Sequence, residues 1–386
     1  MSTLNTCVAL ATLGLVAARG SGSPAAPWPQ FRGFANHTAA SAFAAPHSGA
    51  VAWSAQISSG LYSSPAVGED GTVFYGTYDK RIVAVRPPGS GGSGTLAWSF
   101  TVGNIIDASP ALGADGTVYV ADRDSVLWAV RAGTLVWQRP IGSADASSAA
   151  LGGDGVLYLS AYLSLLAIRA ADGVLLWRWA ADTIMERSSP AVGPDDATVY
   201  VGGRGRLYAV RNATLLWAIT LGGNNDDNIL SSPAVGRDGT VFVSSTSGSV
   251  YAVRPPAAGK DAVGTLLWSL ATGGPCYSSV ALAPDGSVVV GSYDHLLWIL
   301  RPNGTVAWRY NTGMAVSSSP AVSADGIAFI GVNDLLAINT TDGALLWRAA
   351  VNVDIQNQSP AVGADGTVIA TGIGGVIAVG AGGAGE

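Results

Sequence analysis

Short apolar runs of about four residues, separated by polar turns, recur along most of the chain. Thr117-Val118-Tyr119-Val120 is one such run, and the dipeptide Asp115-Gly116 precedes it. β-Branched and aromatic residues favour strands. An Asp-Gly pair supplies the positive φ angles that a tight hairpin needs. The pattern predicts an all-β protein of many short strands joined by tight turns.

A tetrapeptide of the type Ser-Pro-Ala-Val marks the start of each repeated unit. Its serine stands at eight positions: Ser64, Ser109, Ser148, Ser189, Ser232, Ser279, Ser319 and Ser359. Successive copies are 45, 39, 41, 43, 47, 40 and 40 residues apart. A period near 40 residues with strand-like content is typical of propeller blades. The spacing predicts an eight-bladed β-propeller of four-stranded antiparallel blades.

The order of strands within a blade follows from proline and tryptophan. Proline cannot donate a ladder hydrogen bond, so the Ser-Pro-Ala segment belongs on the inner edge, where blades converge and small residues fit. The outer strand ends in tryptophan, at Trp98, Trp137, Trp177, Trp217, Trp268, Trp308 and Trp347. The eighth unit lacks this strand, and Val51-Ala52-Trp53 supplies it from the N-terminal side. Closure of the last blade by the N-terminal strand removes exposed sheet edges. We expect all eight tryptophans to be structural, at a cost of about 3–5 kcal/mol for each Trp→Ala change.

The sequence predicts that the chain divides into four segments. Residues 1–26 are interpreted as a signal peptide or disordered leader, because residues 7–18 are mostly apolar but too short to span a bilayer. Residues 27–49 precede the propeller, residues 50–379 form it, and residues 380–386 are a Gly-rich tail. We therefore expect export to the periplasm, the exterior or a secretory lumen, and no transmembrane helix.

The repeated unit resembles the pyrroloquinoline-quinone (PQQ)-like repeat family of β-propellers over residues 28–379. The unit S-P-A-V-x-x-D-G-T-V-Y-V-G, followed by L-Y-A-V and G-x-L-L-W, carries this resemblance. Residues 337–347 are similar to the tryptophan-docking motif of the family, and residues 28–33 to the stretch that often precedes its first blade. The resemblance implies the propeller fold but two different activities. One branch contains quinoprotein dehydrogenases that use the quinone with Ca²⁺, and the other contains non-catalytic propellers of bacterial outer-membrane assembly.

Several residues depart from the dehydrogenase branch. That branch carries an adjacent Cys-Cys pair, whereas this chain has Cys7 and Cys276 only. The Asp of the docking consensus is replaced by arginine in most units. The chain has 3 histidines, none in a spaced pair, so we expect no catalytic residues and no metal site. We expect no cofactor, with PQQ and calcium as the alternative. The net charge of −6 argues against a nucleic-acid partner.

The polar loops that join outer to inner strands, and second to third strands, are expected to share one face. Their candidate residues for a ligand or partner are Asp79, Asp107, Asp122, Arg123, Asp145, Glu186, Arg204, Asp226, Asp227, Asp294 and Asp354. Such a rim suits a cation, a sugar or a peptide, although a solvated rim without a ligand is the simpler interpretation, since loops must be polar in any case. The sequence favours an exported, monomeric, non-catalytic scaffold that binds a protein or polymer through this face or an edge strand. The alternatives are a small PQQ- and calcium-dependent alcohol or sugar dehydrogenase and a carbohydrate-binding propeller.

Overall fold

The computed structural model describes residues 26–56, 59–60, 62–89, 92–142, 147–185, 187–222, 228–257, 263–351 and 353–380. Within these residues the chain forms thirty-two β-strands in eight four-stranded antiparallel sheets. All but the last residue of the predicted leader, and all but the first residue of the predicted tail, lie outside the described residues. None of the described residues forms a helix long and apolar enough to cross a membrane.

The first half of the chain contains the N-terminal strand and blades 1 to 4, each running from inner to outer strand. The strands are β1 (Val51–Gln56); blade 1, β2 (Ala66–Val67), β3 (Val73–Gly76), β4 (Arg81–Arg86) and β5 (Thr95–Thr101); blade 2, β6 (Ala111–Leu112), β7 (Thr117–Ala121), β8 (Val126–Arg131) and β9 (Thr134–Pro140); blade 3, β10 (Ala150–Leu151), β11 (Val156–Ala161), β12 (Ser164–Arg169) and β13 (Leu175–Ala180); blade 4, β14 (Ala191–Val192), β15 (Val199–Gly203), β16 (Arg206–Arg211) and β17 (Thr214–Thr220).

The second half contains blades 5 to 8 in the same arrangement. The strands are blade 5, β18 (Ala234–Val235), β19 (Val241–Ser244), β20 (Ser249–Arg254) and β21 (Thr265–Ala271); blade 6, β22 (Ala281–Leu282), β23 (Val288–Gly291), β24 (Leu296–Leu300) and β25 (Val306–Asn311); blade 7, β26 (Ala321–Val322), β27 (Ile327–Gly331), β28 (Leu335–Asn339) and β29 (Leu345–Ala349); blade 8, β30 (Ala361–Val362), β31 (Val368–Gly372) and β32 (Gly375–Val379).

The fold confirms the predicted eight-bladed propeller and its closure. In blade 8 the strand order is β1-β32-β31-β30, so the N-terminal strand takes the outer position. Its register pairs Trp53 with Ala378 and Ser54 with Ile377. Pairing strands from the two ends of the chain closes the ring and covers the edge that β32 would otherwise expose.

In seven of the eight blades the outer-strand tryptophan lies opposite an alanine, beside a bulge in the pairing of the third and fourth strands. In blade 2 the register shifts between Ala129 and Val130, so that Ala129 lies opposite Trp137. The indole N–H of Trp137 donates to the carbonyl of Ala170 in blade 3 at 2.9 Å. A Cβ atom on Gly173 would lie 2.8 Å from the same ring. The tryptophan therefore packs against the turn between third and fourth strands of the next blade.

Burial of these tryptophans is unequal. Trp217 is 3% exposed, whereas Trp308 is 42% exposed. Ile299 replaces alanine opposite Trp308. In most other blades a Phe or Tyr ring of the second strand lies about 6 Å from the tryptophan, as Phe242 does from Trp268. An equal cost for every Trp→Ala change is therefore not expected, since Trp308 has less buried area to lose.

Candidate functional site

Eight serines close a ring around the axis of the propeller. The backbone N–H of each first serine of the tetrapeptide donates to the hydroxyl oxygen of its counterpart in the next blade. The donor to acceptor pairs are Ser64 to Ser109, Ser109 to Ser148, Ser148 to Ser189, Ser189 to Ser232, Ser232 to Ser279, Ser279 to Ser319, Ser319 to Ser359 and Ser359 to Ser64. These eight serines, which we call the serine ring, thus link each inner strand to the next around the channel.

In six of the eight blades a second serine extends the pairing of the short inner strand. Each stands one residue before a ring serine, and its hydroxyl accepts the backbone N–H of a second-strand residue. Ser63 accepts from Gly76 at 3.0 Å and Ser188 from Gly202 at 2.9 Å. Where a proline follows the ring serine, as Pro65 follows Ser64 and Pro190 follows Ser189, the backbone has no N–H to donate there, and these side-chain bonds extend the pairing.

The segment before the propeller closes one end of the channel. The inner strand of each of blades 1 to 7 donates a backbone N–H to this segment. The donor residues lie at the end of the channel opposite the loops that join outer to inner strands. The pairs are Val67 with Trp28 O, Leu112 with Pro29 O, Leu151 with Gln30 Oε1, Val192 with Ala35 O, Val235 with Asn36 O, Leu282 with Thr38 O and Val322 with Ala39 O. We call residues 28–39 the floor, since they pass beneath seven blades in order.

Two polar side chains of the floor are completely enclosed. Arg32 is 1% exposed, donates from Nε to His37 O at 3.1 Å and also bonds the carbonyl of Val280 in blade 6. Burial lowers the pKa of Arg32 to about 9, which leaves it charged at neutral pH. Burial, with the charge of Arg32, lowers the pKa of His37 to about 3. His37 is therefore neutral, and its ring packs edge-on against Phe31 at 5.8 Å.

The channel above the floor is a cavity of about 700 Å³ that opens between the loops. All eight ring serines line its wall, and Phe31 of the floor lines its closed end. At the open end, which we call the mouth, two tyrosine pairs contribute to the lining. Tyr62 stacks on Tyr78 at 5.1 Å, and Tyr277 lies 4.9 Å from Tyr293. Three of these four rings are about 40% exposed.

The loops of the two predicted kinds meet at the mouth through backbone hydrogen bonds. Arg123 N donates to Ile105 O at 2.9 Å, and Tyr293 N donates to Pro275 O at 2.9 Å. The Arg123 Nε to Asp107 Oδ2 distance is 2.5 Å, and the guanidinium lies 5.6 Å from the centre of the Tyr78 ring. Burial first, and then the charge of Asp107, raise the pKa of Tyr78 to about 12. The phenol is therefore a neutral hydroxyl at physiological pH.

The predicted rim residues divide into three groups. Asp107, Asp122 and Arg123 line the cavity. Asp79, Arg204, Asp294 and Asp354 lie on the rim outside the lining that the described residues form. The remaining four candidates, Asp145, Glu186, Asp226 and Asp227, fall outside the described residues.

Two of the candidate carboxylates accept hydrogen bonds from the loops and strands beside them. Asp122 accepts the indole N–H of Trp128 at 2.9 Å, and the backbone N–H groups of Asp124 and Val126. Asp294 accepts the indole N–H of Trp298 at 3.0 Å and the backbone N–H of Gly273 at 2.8 Å. A carboxylate that accepts several N–H groups has few lone pairs left for a ligand.

The described residues offer no set of ligands for the calcium ion of a calcium-dependent quinone. A Ca²⁺ ion takes six to eight oxygen ligands, commonly including clustered carboxylates. The described residues contain no group of three or more His, Cys, Asp or Glu side chains that would hold a metal ion. Asp107 and Asp122, the carboxylates in the described lining, are bonded to Arg123 and to Trp128 respectively.

Several site residues were not identified from the sequence. The serines were interpreted only as small residues, although their eightfold recurrence was the available signal. Phe31 lay in a segment to which no structure was assigned, and Tyr62 and Tyr277 were not among the candidates. Their loops were predicted to be informative, but the pairing of each tyrosine with one from a neighbouring hairpin requires the closed ring.

Comparison with known proteins gives a family and a set of structural neighbours. Residues 81–303 and 296–382 match the model of the family described as outer membrane protein assembly factor BamB. No curated protein matches the sequence significantly.

Solved structures show the same fold at low sequence identity. The crystal structure of BamB from Moraxella catarrhalis has a TM-score of 0.65 at 17% identity, covering 86% of this chain and 99% of that one. A europium-containing methanol dehydrogenase has a TM-score of 0.70 at 13% identity, covering 91% and 90%. Quinohemoprotein alcohol dehydrogenase from Comamonas testosteroni has a TM-score of 0.73 at 14% identity, covering 95% and 82%. At such identities the likeness shows the fold alone.

Proposed function

We propose that this chain, which belongs to the family described as outer membrane protein assembly factor BamB, is an exported, non-catalytic propeller that binds a partner through its mouth. The partner is a protein or a polymer that contacts the loops around the cavity. The family description supports a role at the cell envelope, and with it export. The leader predicted over residues 1–26 supports export as well.

The observation that carries this proposal is the chemistry of the mouth. Exposed tyrosine rings, an Arg123–Asp107 pair and serine hydroxyls surround an open cavity. Tyrosine and arginine are enriched where proteins bind partners, because each combines apolar area with hydrogen-bonding groups. The same residues lack a spaced set of metal ligands or a nucleophile beside a general base, which a hydrolytic or quinone-dependent site would need.

The test is capture of envelope components by the full chain, expressed with its leader and purified from outside the cytoplasm. We expect Arg123→Ala to reduce recovery of the captured partner at least about tenfold, a loss that corresponds to about 1.4 kcal/mol. Arg86→Ala is the control, because Arg86 is an exposed arginine at the opposite end of blade 1. Equal melting temperatures of the two variants are expected, since exposed ion pairs contribute about 0–1 kcal/mol.

The competing activity is tested on the same preparation. PQQ with Ca²⁺, or with a lanthanide ion, is added together with a panel of primary alcohols and aldoses. A raised melting temperature together with dye reduction would overturn the non-catalytic proposal. Capture that is equally strong for Arg123→Ala and the native chain would overturn the assignment to the mouth.

A further inference from the structure

The central cavity is closed at one end and open at the other. The floor is bonded to seven inner strands, and Phe31 faces into the cavity from it. A guest therefore enters from the mouth and cannot pass through. A volume of about 700 Å³ lies within the range of about 300–1,000 Å³ that is usual for small-ligand sites. This geometry suits the end of a chain rather than its middle.

The wall of the cavity offers hydroxyl groups in a fixed circle. Each ring-serine oxygen accepts one backbone N–H at 2.9–3.1 Å, which fixes its position. A hydroxyl has one hydrogen to donate and a second lone pair. Each ring serine can therefore both donate to a guest and accept from it. The ring serines are 2–8% exposed, so these groups lie inside the channel rather than on the outer surface.

The charges of the lining balance. Among the described residues that line the cavity, Asp107 and Asp122 are acidic and Arg123 and Arg187 are basic. Asp107 is paired with Arg123, and Asp122 is bonded to Trp128 and two backbone N–H groups. The described part of the wall therefore offers neutral hydroxyls and balanced charges, which favour a neutral guest, because an ion would lose hydration there without gaining a counter-charge.

Aromatic rings stand at both ends of this hydroxyl wall. Phe31 lies at the closed end, and the pairs Tyr62–Tyr78 and Tyr277–Tyr293 lie at the mouth. A pyranose ring has apolar C–H faces and a periphery of hydroxyls that each donate and accept. Flat aromatic faces match the first feature, and the serine ring matches the second.

We propose that the cavity binds the end of a neutral saccharide chain, with the terminal unit among the ring serines and the next units against the tyrosines. This inference rests on the proposed function, for which it names the class of polymer. The terminal sugar packs one face toward Phe31 and exchanges hydrogen bonds with the serine hydroxyls. Tyr62 and Tyr277 hold the units that emerge from the mouth.

The test measures binding of neutral linear oligosaccharides of four to six units to the full chain by calorimetry and ligand-observed NMR. The panel contains glucose-, mannose-, galactose- and N-acetylglucosamine-based chains. Tyr277→Ala is expected to weaken binding at least about tenfold, within the range for loss of an aromatic anchor. Tyr162→Ala is the matched control, because Tyr162 is equally exposed, at 43% against 41%, but lies on the tip of a blade 3 hairpin outside the described lining.

A comparison of linear and cyclic chains tests whether the cavity binds the end of a saccharide chain. Cyclic glucans have the same sugar faces as linear glucans but no chain ends, so they are included beside a linear glucan of equal length. We expect a linear member of the panel to bind and its affinity to fall in Tyr277→Ala. We expect any cyclic chain to bind with no more than a tenth of the affinity of the linear chain.

Three results would overturn the inference: no binding of any linear saccharide, equal loss in Tyr162→Ala, or preference for charged peptides over all saccharides. Each is distinguishable from failure of the proposed function. Partner capture that still depends on Arg123 would leave the mouth as the binding face while the saccharide assignment fails.

Discussion

The floor and the mouth lie at opposite ends of the channel, and different parts of the chain form them. At the floor, backbone groups of seven blades bond to one segment, and Trp28, Arg32 and His37 are buried. At the mouth, loops of different sequence present exposed tyrosines and an exposed ion pair. Contacts that are buried and shared by many blades contribute to stability, whereas exposed loop side chains contribute little to it. The difference indicates that the floor stabilises the ring and the mouth is available for recognition.

The largest expected effect compares a buried ring of the floor with an exposed ring of the mouth. Trp28 is 2% exposed, and Tyr277 is 41% exposed. We expect Trp28→Ala to lower the free energy of unfolding by about 3–5 kcal/mol, from lost burial and the remaining cavity. Tyr277→Ala should lower it by less than about 1 kcal/mol. Denaturant midpoints of the two variants measure the difference, and equal losses would contradict the division between floor and mouth.

The second prediction concerns acid stability and His37. Its pKa is about 3 in the folded chain, against an ordinary value of 6.5. Between pH 3 and pH 6.5 the imidazole is protonated in the unfolded chain but not in the folded chain. The free energy of unfolding therefore falls as the pH decreases through this window, and the full contribution of neutral His37 is present above it. The contribution to this loss is about 2 kcal/mol between pH 6.5 and pH 4.5.

His37→Asn is the matching variant for this measurement, since His37 has a φ of 54° and asparagine accepts that conformation. We expect unfolding curves of the native chain to shift more between pH 6.5 and pH 4.5 than those of the variant. If the stabilities of the native chain and the variant depended on pH in the same way, the loss of stability in acid could not be assigned to His37.

The smallest effect compares two glycines with nearly the same backbone conformation. Gly304 has a φ of 84° beside Trp268 on the floor side, and Gly313 has a φ of 82° in a mouth loop. A Cβ atom on Gly304 would lie 2.6 Å from the Trp268 ring, but one on Gly313 would have no neighbour within 4 Å. Alanine at either position costs about 1–2 kcal/mol for the left-handed conformation.

Gly304→Ala should cost at least about 1 kcal/mol more than Gly313→Ala, because the turn must also move away from the tryptophan. Thermal unfolding of both variants measures this increment. Equal melting temperatures would show that the turn yields to the added methyl group, and that the contact with Trp268 is looser than its geometry indicates.

Much of the fold was predictable because each blade encodes its own strands. The recurring serine and tryptophan positions gave the number of blades, and the missing eighth tryptophan strand indicated the role of Trp53. For the candidate site, the sequence predicted which loops share one face of the propeller but not which side chains line the cavity. Asp122 and Asp294 were reasonable ligand candidates from their loops, but the structure shows that they accept the indole N–H groups of Trp128 and Trp298.

Local sequence alone determined the strands, the tight turns and the repeat, since these depend on residues within about 40 positions of one another. Only the tertiary structure decided how the ring serines bond to one another, where the floor runs and which side chains share the cavity. Ser359 bonds to Ser64 across 295 positions of sequence, and Gln30 bonds to Leu151 across 121. Pairings at such separations arise from the convergence of eight blades on one axis, and no local pattern of apolar and polar residues specifies them.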